Sequence, residues 1–275
     1  MIDLHLHTTA SDGRSTPEEL VREAALAGLT TIAVTDHDTT ASIAEVTGAA
    51  EASGMTCVPG IEITAVHNGQ DVHMLGYFLD ADNGELAEFL AGQREDRRRR
   101  LFEMADELDR LGMPIDRGRL QAAERDSKRA LGRPMLADAL VRAGYVATIS
   151  EAFERFLGTD KPAFISRRGA SPAEVVELIT RAGGLSSLAH PGKSNLDAII
   201  PELVAGGLGA IEVYHPDHDE RQTTHYRELA RRHGVLVTGG SDYHGAGSGR
   251  TSGFGRVTLP VDDYERLVGR AGWTA

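Results

Sequence analysis

Cysteine is almost missing from this 275-residue chain, where Cys57 stands alone. One thiol closes no internal disulfide and builds no thiolate metal cluster, and the expected compartment is the reducing cytoplasm. Long apolar runs are missing too. No stretch approaches the roughly 18 consecutive apolar residues of a membrane span. The opening MIDLHLHTTASDG has no basic segment ahead of an apolar core, so no secretory leader is expected. Positive charge is scarce, with 29 Lys and Arg against 41 Asp and Glu and a formal charge of −12. That argues against a broadly basic, nucleic-acid-coating surface and leaves room for a carboxylate-rich site that holds cations. Apolar residues at 41% and charged residues at 25% are ordinary globular usage. The length suits one large domain, or one domain with a sizeable insertion.

The pattern alternates short β-rich runs with helical segments. Ile2–Leu6 reads as a first strand. Thr16-Pro17-Glu18-Glu19 opens a helix with a Thr cap, Pro in the first turn and acids near the positive end of the dipole. Thr30–Val34 is a second strand, and a helix follows over Ser42–Ala52. Thr56–Val58, Ile61–Val66 and Val72–Phe78 are further strands. From about Gly84 to Phe164 only helices are expected. Leu86, Phe89, Leu90, Leu101, Met104, Leu108 and Leu111 give a helical stripe interrupted by the polar stretch Arg94–Arg100. Shorter helices are expected over Arg133–Ala143 and Ile149–Leu157. Strand–helix alternation then resumes: helices over Pro172–Ala182, Leu196–Ala205 and Asp219–His233, strands over Leu185–Ala189, Ala210–Tyr214 and Val235–Thr238, and a last strand near Arg256–Leu259 before a helix from Asp262. The expected organisation is a barrel from residues 1–83 and 165–275, with a helical insertion over 84–164.

Histidines and carboxylates gather at strand ends. The first strand ends in His5-Leu6-His7, with Asp12 five residues on; the second runs into Asp36-His37-Asp38. Glu62 and His73 lie on the next strands. Later ones end in His190-Pro191, in Tyr214-His215-Pro216 and in Asp242-Tyr243-His244. In a barrel of parallel strands these ends converge on one face. His-x-His has the strand period of two, so both rings project from one side. Singly, each pattern is more often a turn, a cap or a surface accident. Their joint placement at successive strand ends is what points to a metal centre of six histidines (His5, His7, His37, His73, His190, His244) and three carboxylates (Asp12, Glu62, Asp242). Nine such ligands are too many for one ion and suit two or three divalent ions. Imidazole and carboxylate without thiolate suit Mn, Fe or Zn alike. His67, His225 and His233 lack this context; His215 and His218 lie near the bowl without a ligand pattern.

DLHLHTTASDG, VTDHDT, PGIEIT, VHMLGY, LAHPG and GGSDYHG resemble the successive motifs of the PHP (polymerase and histidinol phosphatase) superfamily, and GRP, KPAFISR and IEVYHPDH resemble its TrpH/YciV-like subgroup. The resemblance covers nearly the whole chain. It implies a distorted (β/α)7 barrel with an inserted helical domain capping the active site. It implies a trinuclear centre: His5, His7, Glu62 and Asp242 on a first ion, Glu62, His73 and His190 on a second, and Asp12, His37 and His244 on a third. It also implies that Arg133 and Arg167 reach substrate phosphates, since guanidinium grips phosphate bidentately. Where the subgroup often has His after the GRP motif, this chain has Met135. His218 is a candidate to contact or protonate the leaving group. In Arg97–Arg100, four successive residues circle a helix, so at most one or two of them face the bowl. The implied activity is hydrolysis of a nucleotide phosphoester: the 3′-phosphate of a nucleoside 3′,5′-bisphosphate, with 5′→3′ trimming of short RNA. The alternatives are another small phosphoester (a cyclic ribose phosphate or histidinol phosphate) and a binding or structural module.

Overall fold

Seven strands make one sheet with strands in chain order, β1 to β7. They are β1 Ile2–Leu6, β2 Thr31–Val34, β3 Thr56–His67, β4 Gln70–Tyr77, β5 Leu185–Leu188, β6 Ala210–Tyr214 and β7 Leu236–Gly239. The helices are α1 Pro17–Leu26, α2 Ile43–Ala52, α3 Gly84–Arg110, α4 Gly118–Glu124, α5 Arg133–Arg142, α6 Ile149–Ala152, α7 Pro172–Arg181, α8 Ile200–Ala205, α9 Glu220–His233 and α10 Val261–Ala271. This computed structural model describes residues 1–193, 195–246, 248 and 253–274. Helix starts follow local chemistry. Thr16 with Glu19, Ser171 with Glu174, and Asp219 with Gln222 form reciprocal capping boxes at α1, α7 and α9.

The sheet curls into a nearly closed barrel. Beyond β7, Tyr243 bridges to Leu6 in parallel, with the His7 amide donating to the Tyr243 carbonyl at 2.9 Å. The Asp3 carboxylate accepts from the Ser241 amide at 2.9 Å across the same seam. A Cβ on Gly240 would lie 2.4 Å from the His5 nitrogen, so glycine is what lets the end of β7 approach β1 this closely. Leu4, Val58, Leu75, Tyr77 and Ala210 belong to one buried cluster, which α10 joins through Leu267.

The structure differs from the sequence expectation in four places. The barrel is not all parallel: β4 runs antiparallel to both β3 and β5. The cause is local, because β3 and β4 are joined by the Asn68-Gly69 turn, both residues at positive φ, and a two-residue connection permits only a hairpin. Residues 56–67 form one long strand rather than two. Residues 256–259 are not a strand; the Leu259 amide donates to the Ile2 carbonyl at 2.9 Å without a ladder around it. Finally, α3 is continuous through the arginine run. Arg is a good helix former, and Arg98–Glu95, Arg99–Asp96 and Arg99–Glu103 pair at helical spacing.

Residues between 101 and 163 carry their own apolar cluster, including Leu101, Met104, Leu108, Leu136, Leu140 and Leu157. Leu86 and Leu90, at the start of α3, pack instead with the strands β3 and β4 and helix α7. Among the described residues no helix is long and apolar enough to cross a membrane.

Candidate metal centre

All nine residues expected from the sequence converge, and the Glu62 carboxylate sits at their middle. Its Oε2 lies 3.3 Å from Nε2 of both His5 and His7 and 3.0 Å from His37 Nδ1. Its Oε1 lies 2.8 Å from His73 Nδ1 and 3.2 Å from His190 Nε2. Asp242 Oδ1 stands 3.4 Å from His5 Nε2 and 3.3 Å from His7 Nε2. Asp12 Oδ1 lies 3.2 Å from His244 Nε2 and 3.8 Å from His37 Nε2. His73 arrives on the antiparallel β4, opposite Thr64, and not from a parallel strand end. Asp38, His190 and Asp242 all take positive φ, so this end of the barrel carries backbone strain.

Three overlapping groups have ligand atoms within 4.8 Å of one another: His5, His7, Glu62 and Asp242; His7, Asp12, His37 and His244; and His37, Glu62 and His73. His190 falls outside these groups and touches Glu62 alone among the carboxylates named. The donors fit divalent cations. His5 Nε2, both ring nitrogens of His7, His37 Nδ1, Asp12 Oδ1 and Glu62 Oε2 are buried without a hydrogen bond. Native proteins rarely leave so many buried polar atoms unsatisfied except where an ion or water belongs. The set holds imidazole and carboxylate only, which suits first-row divalent metals. Electrostatics agree. Burial opposes a proton on His7, yet the neighbouring Asp242 and Glu62 raise its pKa to about 9. Burial likewise opposes the charge on Asp12, and the His244 and His37 rings hold its carboxyl well below the usual range. The carboxylates demand positive charge at their centre.

Other residues hold these side chains in place, and of them Glu212 and Lys193 were missed in the sequence. Glu212, an acid on the otherwise apolar strand β6, is fully buried; its Oε1 lies 2.8 Å from His5 Nδ1 and its Oε2 accepts from the His190 amide at 2.8 Å. Asp36 accepts from the Thr8 amide, the Thr8 hydroxyl, the Ser11 hydroxyl and the Ser42 hydroxyl, which fixes the loop carrying Asp12. His215 Nδ1 accepts from the Asp217 amide at 3.0 Å, so its proton sits on Nε2, 3.3 Å from Asp242 Oδ2. That tautomer makes His215 a donor to a ligand and not a ligand itself. Lys193 also reaches this rim, with Nζ 3.0 Å from Asp217 and 3.7 Å from Asp242.

His218 lies against backbone. Its Nδ1 donates to the Val213 carbonyl at 2.9 Å and its Nε2 accepts from the Gly192 amide at 3.1 Å. Both ring nitrogens are thus committed to backbone, and burial lowers its pKa. The ring clamps the turn after His190.

Arg133 and Arg167 come together beside the cluster. Both line a small cavity of about 110 Å³ that also touches Asp12, His37 and His73. Arg133 lies 3.1 Å from Asp71, and Arg167 lies 3.1 Å from Asp38. A much larger cavity, about 1130 Å³, shares Asp12 and Phe153 with it and lies between Asp12, Asp242 and His244 and the helical residues Met135 and Ala139.

Comparison with known proteins agrees with this geometry. Residues 3–131 match the PHP domain model. The chain is 34% identical over 250 residues to the 5′-3′ exoribonuclease Rnm of Escherichia coli, covering 88% of this chain and 84% of that one. It is 32% identical to a 3′,5′-nucleoside bisphosphate phosphatase of Chromobacterium violaceum, covering 90% and 88%. It is 34% identical to a phosphoribosyl 1,2-cyclic phosphate 1,2-diphosphodiesterase of Eggerthella lenta, covering 93% and 95%. A crystal structure from Bifidobacterium adolescentis, assigned as a metal-dependent phosphoesterase, superposes with a TM-score of 0.90 at 35% identity, covering 98% and 96%. With the family model matched over residues 3–131 and relatives 32–34% identical across more than four-fifths of both chains, this chain belongs to the PHP family of metal-dependent phosphoesterases.

Proposed function

We propose that this hydrolase removes the 3′-phosphate of nucleoside 3′,5′-bisphosphates, and trims short RNA from the 5′ end by the same chemistry. The observation that carries the reading is the pair of unequal cavities meeting at one cluster. The smaller is narrow and lined by Arg133 and Arg167; the larger combines apolar residues such as Leu120 and Met135 with Arg14, Arg119, Arg129, Arg142 and Lys193. A substrate with two phosphates and a nucleoside body uses both. Histidinol phosphate, with a single phosphate, offers no second anion for Arg133 and Arg167. The relatives' named substrates (a bisphosphate, RNA and a cyclic phosphate) agree with a nucleotide-like phosphoester. The intact set of nine ligands argues against a purely structural module.

In this reading two or three divalent ions, of Mn, Fe or Zn, are held by His5, His7, Glu62 and Asp242, by Glu62, His73 and His190, and by Asp12, His37 and His244. When bound, such ions supply positive charge for the phosphoryl oxygens and lower the pKa of an attacking water. The chain's own side chains do the rest. Arg133 and Arg167 hold the phosphate that does not react. Glu212 orients the His5 ring, and His215 orients the Asp242 carboxylate. The helices of 84–164 cap the site, so the reacting phosphate sits away from bulk water.

The test is a phosphate-release screen with added Mn over adenosine 3′,5′-bisphosphate, adenosine monophosphates, a cyclic ribose phosphate, histidinol phosphate and short RNAs. The bisphosphate is expected to give the highest kcat/KM. A cyclic phosphate or histidinol phosphate turned over ten times better would replace this reading.

A further inference from the structure

The larger cavity is roomier than a single nucleotide requires. At about 1130 Å³ it exceeds the roughly 300–1,000 Å³ of a small-molecule site. Cations line it from both parts of the chain: Arg14 and Lys193 from barrel loops, and Arg119, Arg129 and Arg142 from the helical insertion. Three of them already have acids. Arg142 pairs with Asp138, Arg14 lies 4.0 Å from the same carboxylate, and Lys193 lies 3.0 Å from Asp217. Arg119, on α4, and Arg129, between α4 and α5, have no carboxylate partner among the described residues.

Arg129 is fixed where it stands. The Ala130 amide donates to the Ala10 carbonyl at 2.9 Å, and the Thr39 hydroxyl donates to the Lys128 carbonyl at 2.8 Å. Barrel loops thus tie down the residues on either side of it. The Arg129 side chain is half-buried, and its Nε is buried without a hydrogen-bond acceptor. A held guanidinium with a missing acceptor, opening on the same cavity as Asp12 and His244, suits an anion that arrives with the substrate. Leu120, Met135 and Phe153 add apolar and aromatic surface to the same walls. Cations that track a backbone, with apolar faces for the bases, are the means by which single strands are bound without sequence preference.

We infer that the larger cavity is a channel for the RNA strand downstream of the cleaved bond, in which Arg119 and Arg129 bind the two phosphates that follow the reacting one. The inference rests on the proposed hydrolysis at a 3′-phosphate. Water supplies the hydroxide that joins phosphorus, the P–O3′ bond breaks, the 3′-oxygen takes up the remaining proton, and the phosphate stays with the downstream strand. In a bisphosphate that phosphate carries nothing further. In RNA it carries the next nucleotide, which needs room and countercharge beside the cluster. The smaller cavity, at about 110 Å³, has no room for it. The cations are local in a chain of charge −12, so attraction for the strand ends where the cavity does, which favours short RNA.

The test compares 5′-phosphorylated adenylate dimer, trimer and tetramer on the metal-loaded protein, with adenosine 3′,5′-bisphosphate as the reference. Among the adenylates, kcat/KM is expected to rise from dimer to tetramer as the two downstream phosphates are added. Its logarithmic salt dependence should steepen by about 0.7 for each of those contacts. In Arg129→Gln the tetramer-to-dimer ratio should fall roughly 10- to 100-fold, the loss expected for a charge-assisted hydrogen bond, and about one increment of the salt dependence should go with it. Arg129→Lys should recover part of the ratio. Arg119→Gln repeats the test if Arg129→Gln fails to fold. Binding is read without turnover from the anisotropy of a 3′-labelled tetramer with methylene groups in place of its bridging 3′-oxygens, which keeps its charges and is not cleaved; its affinity should weaken in parallel. Equal kcat/KM for dimer and tetramer on wild-type protein would overturn the channel, as would an unchanged ratio with unchanged tetramer affinity in Arg129→Gln. If wild-type protein cleaves neither the bisphosphate nor the adenylates, the substrate reading fails separately, and the anisotropy measurement alone decides the channel.

Discussion

At the scale of single residues, the convergence of these histidines and carboxylates was legible because their pattern repeats. One His-x-His says little, but His5-x-His7, Asp36-His37-Asp38, His190-Pro191 and Asp242-x-His244 all fall where strands end, and coincidence becomes a poor explanation. Glu212 had no such repetition. A lone acid in Ile211-Glu212-Val213 looks like an outward-facing residue until the fold brings it within 2.8 Å of His5 Nδ1. His218 sits in a histidine-rich motif, and the sequence does not say that both its nitrogens meet backbone. Glu212→Gln keeps the volume and removes the charge that orients His5. Metal affinity, measured by chelator competition, should fall by about 10- to 100-fold, as for other outer-shell partners of metal ligands. An unchanged affinity would reduce Glu212 to a packing residue.

At the scale of elements, the alternation of strand and helix was readable, and the direction of β4 was also written in the chain. Asn68-Gly69 between two apolar runs is a hairpin signal, and it places His73 opposite Thr64 rather than at a parallel strand end. The arginine run looked like a break in α3 because charge hides an apolar stripe; its side chains pair along the helix and leave Arg97 and Arg100 facing inward. The seam between β1 and β7 was not legible, because nothing in a Gly-Gly pair says what will approach it. There the Gly240 backbone packs onto His5 so closely that any Cβ collides with main chain. Gly240→Ala should cost about 3 kcal/mol, the upper end of overpacking penalties, read from the denaturant midpoint. A cost under about 0.5 kcal/mol, the level of a neutral surface change, would show that the seam yields.

At the scale of the whole molecule, two kinds of apolar core meet around one site. The barrel clusters position the ligands, and the cluster built around Leu108, Leu136 and Leu140 supports the helices that carry Arg133. Leu136 is completely buried in that second cluster. Leu136→Ala should destabilise by about 2–5 kcal/mol, with amide exchange quickening in α4 and α5 before the strands. Exchange that quickens uniformly would mean that the two regions unfold as one unit.

The account as a whole depends on the nine converging residues holding metal and on hydrolysis requiring it. The direct measurement is metal content by mass spectrometry on wild-type protein and on Asp242→Ala, paired with phosphate release from adenosine 3′,5′-bisphosphate by the same preparations. Two or three divalent ions per chain are expected in the wild type. The variant should hold fewer, with turnover lower by about 100-fold or more, a loss of about 2.7 kcal/mol of transition-state stabilisation. A metal-free Asp242→Ala protein with wild-type turnover would contradict the account.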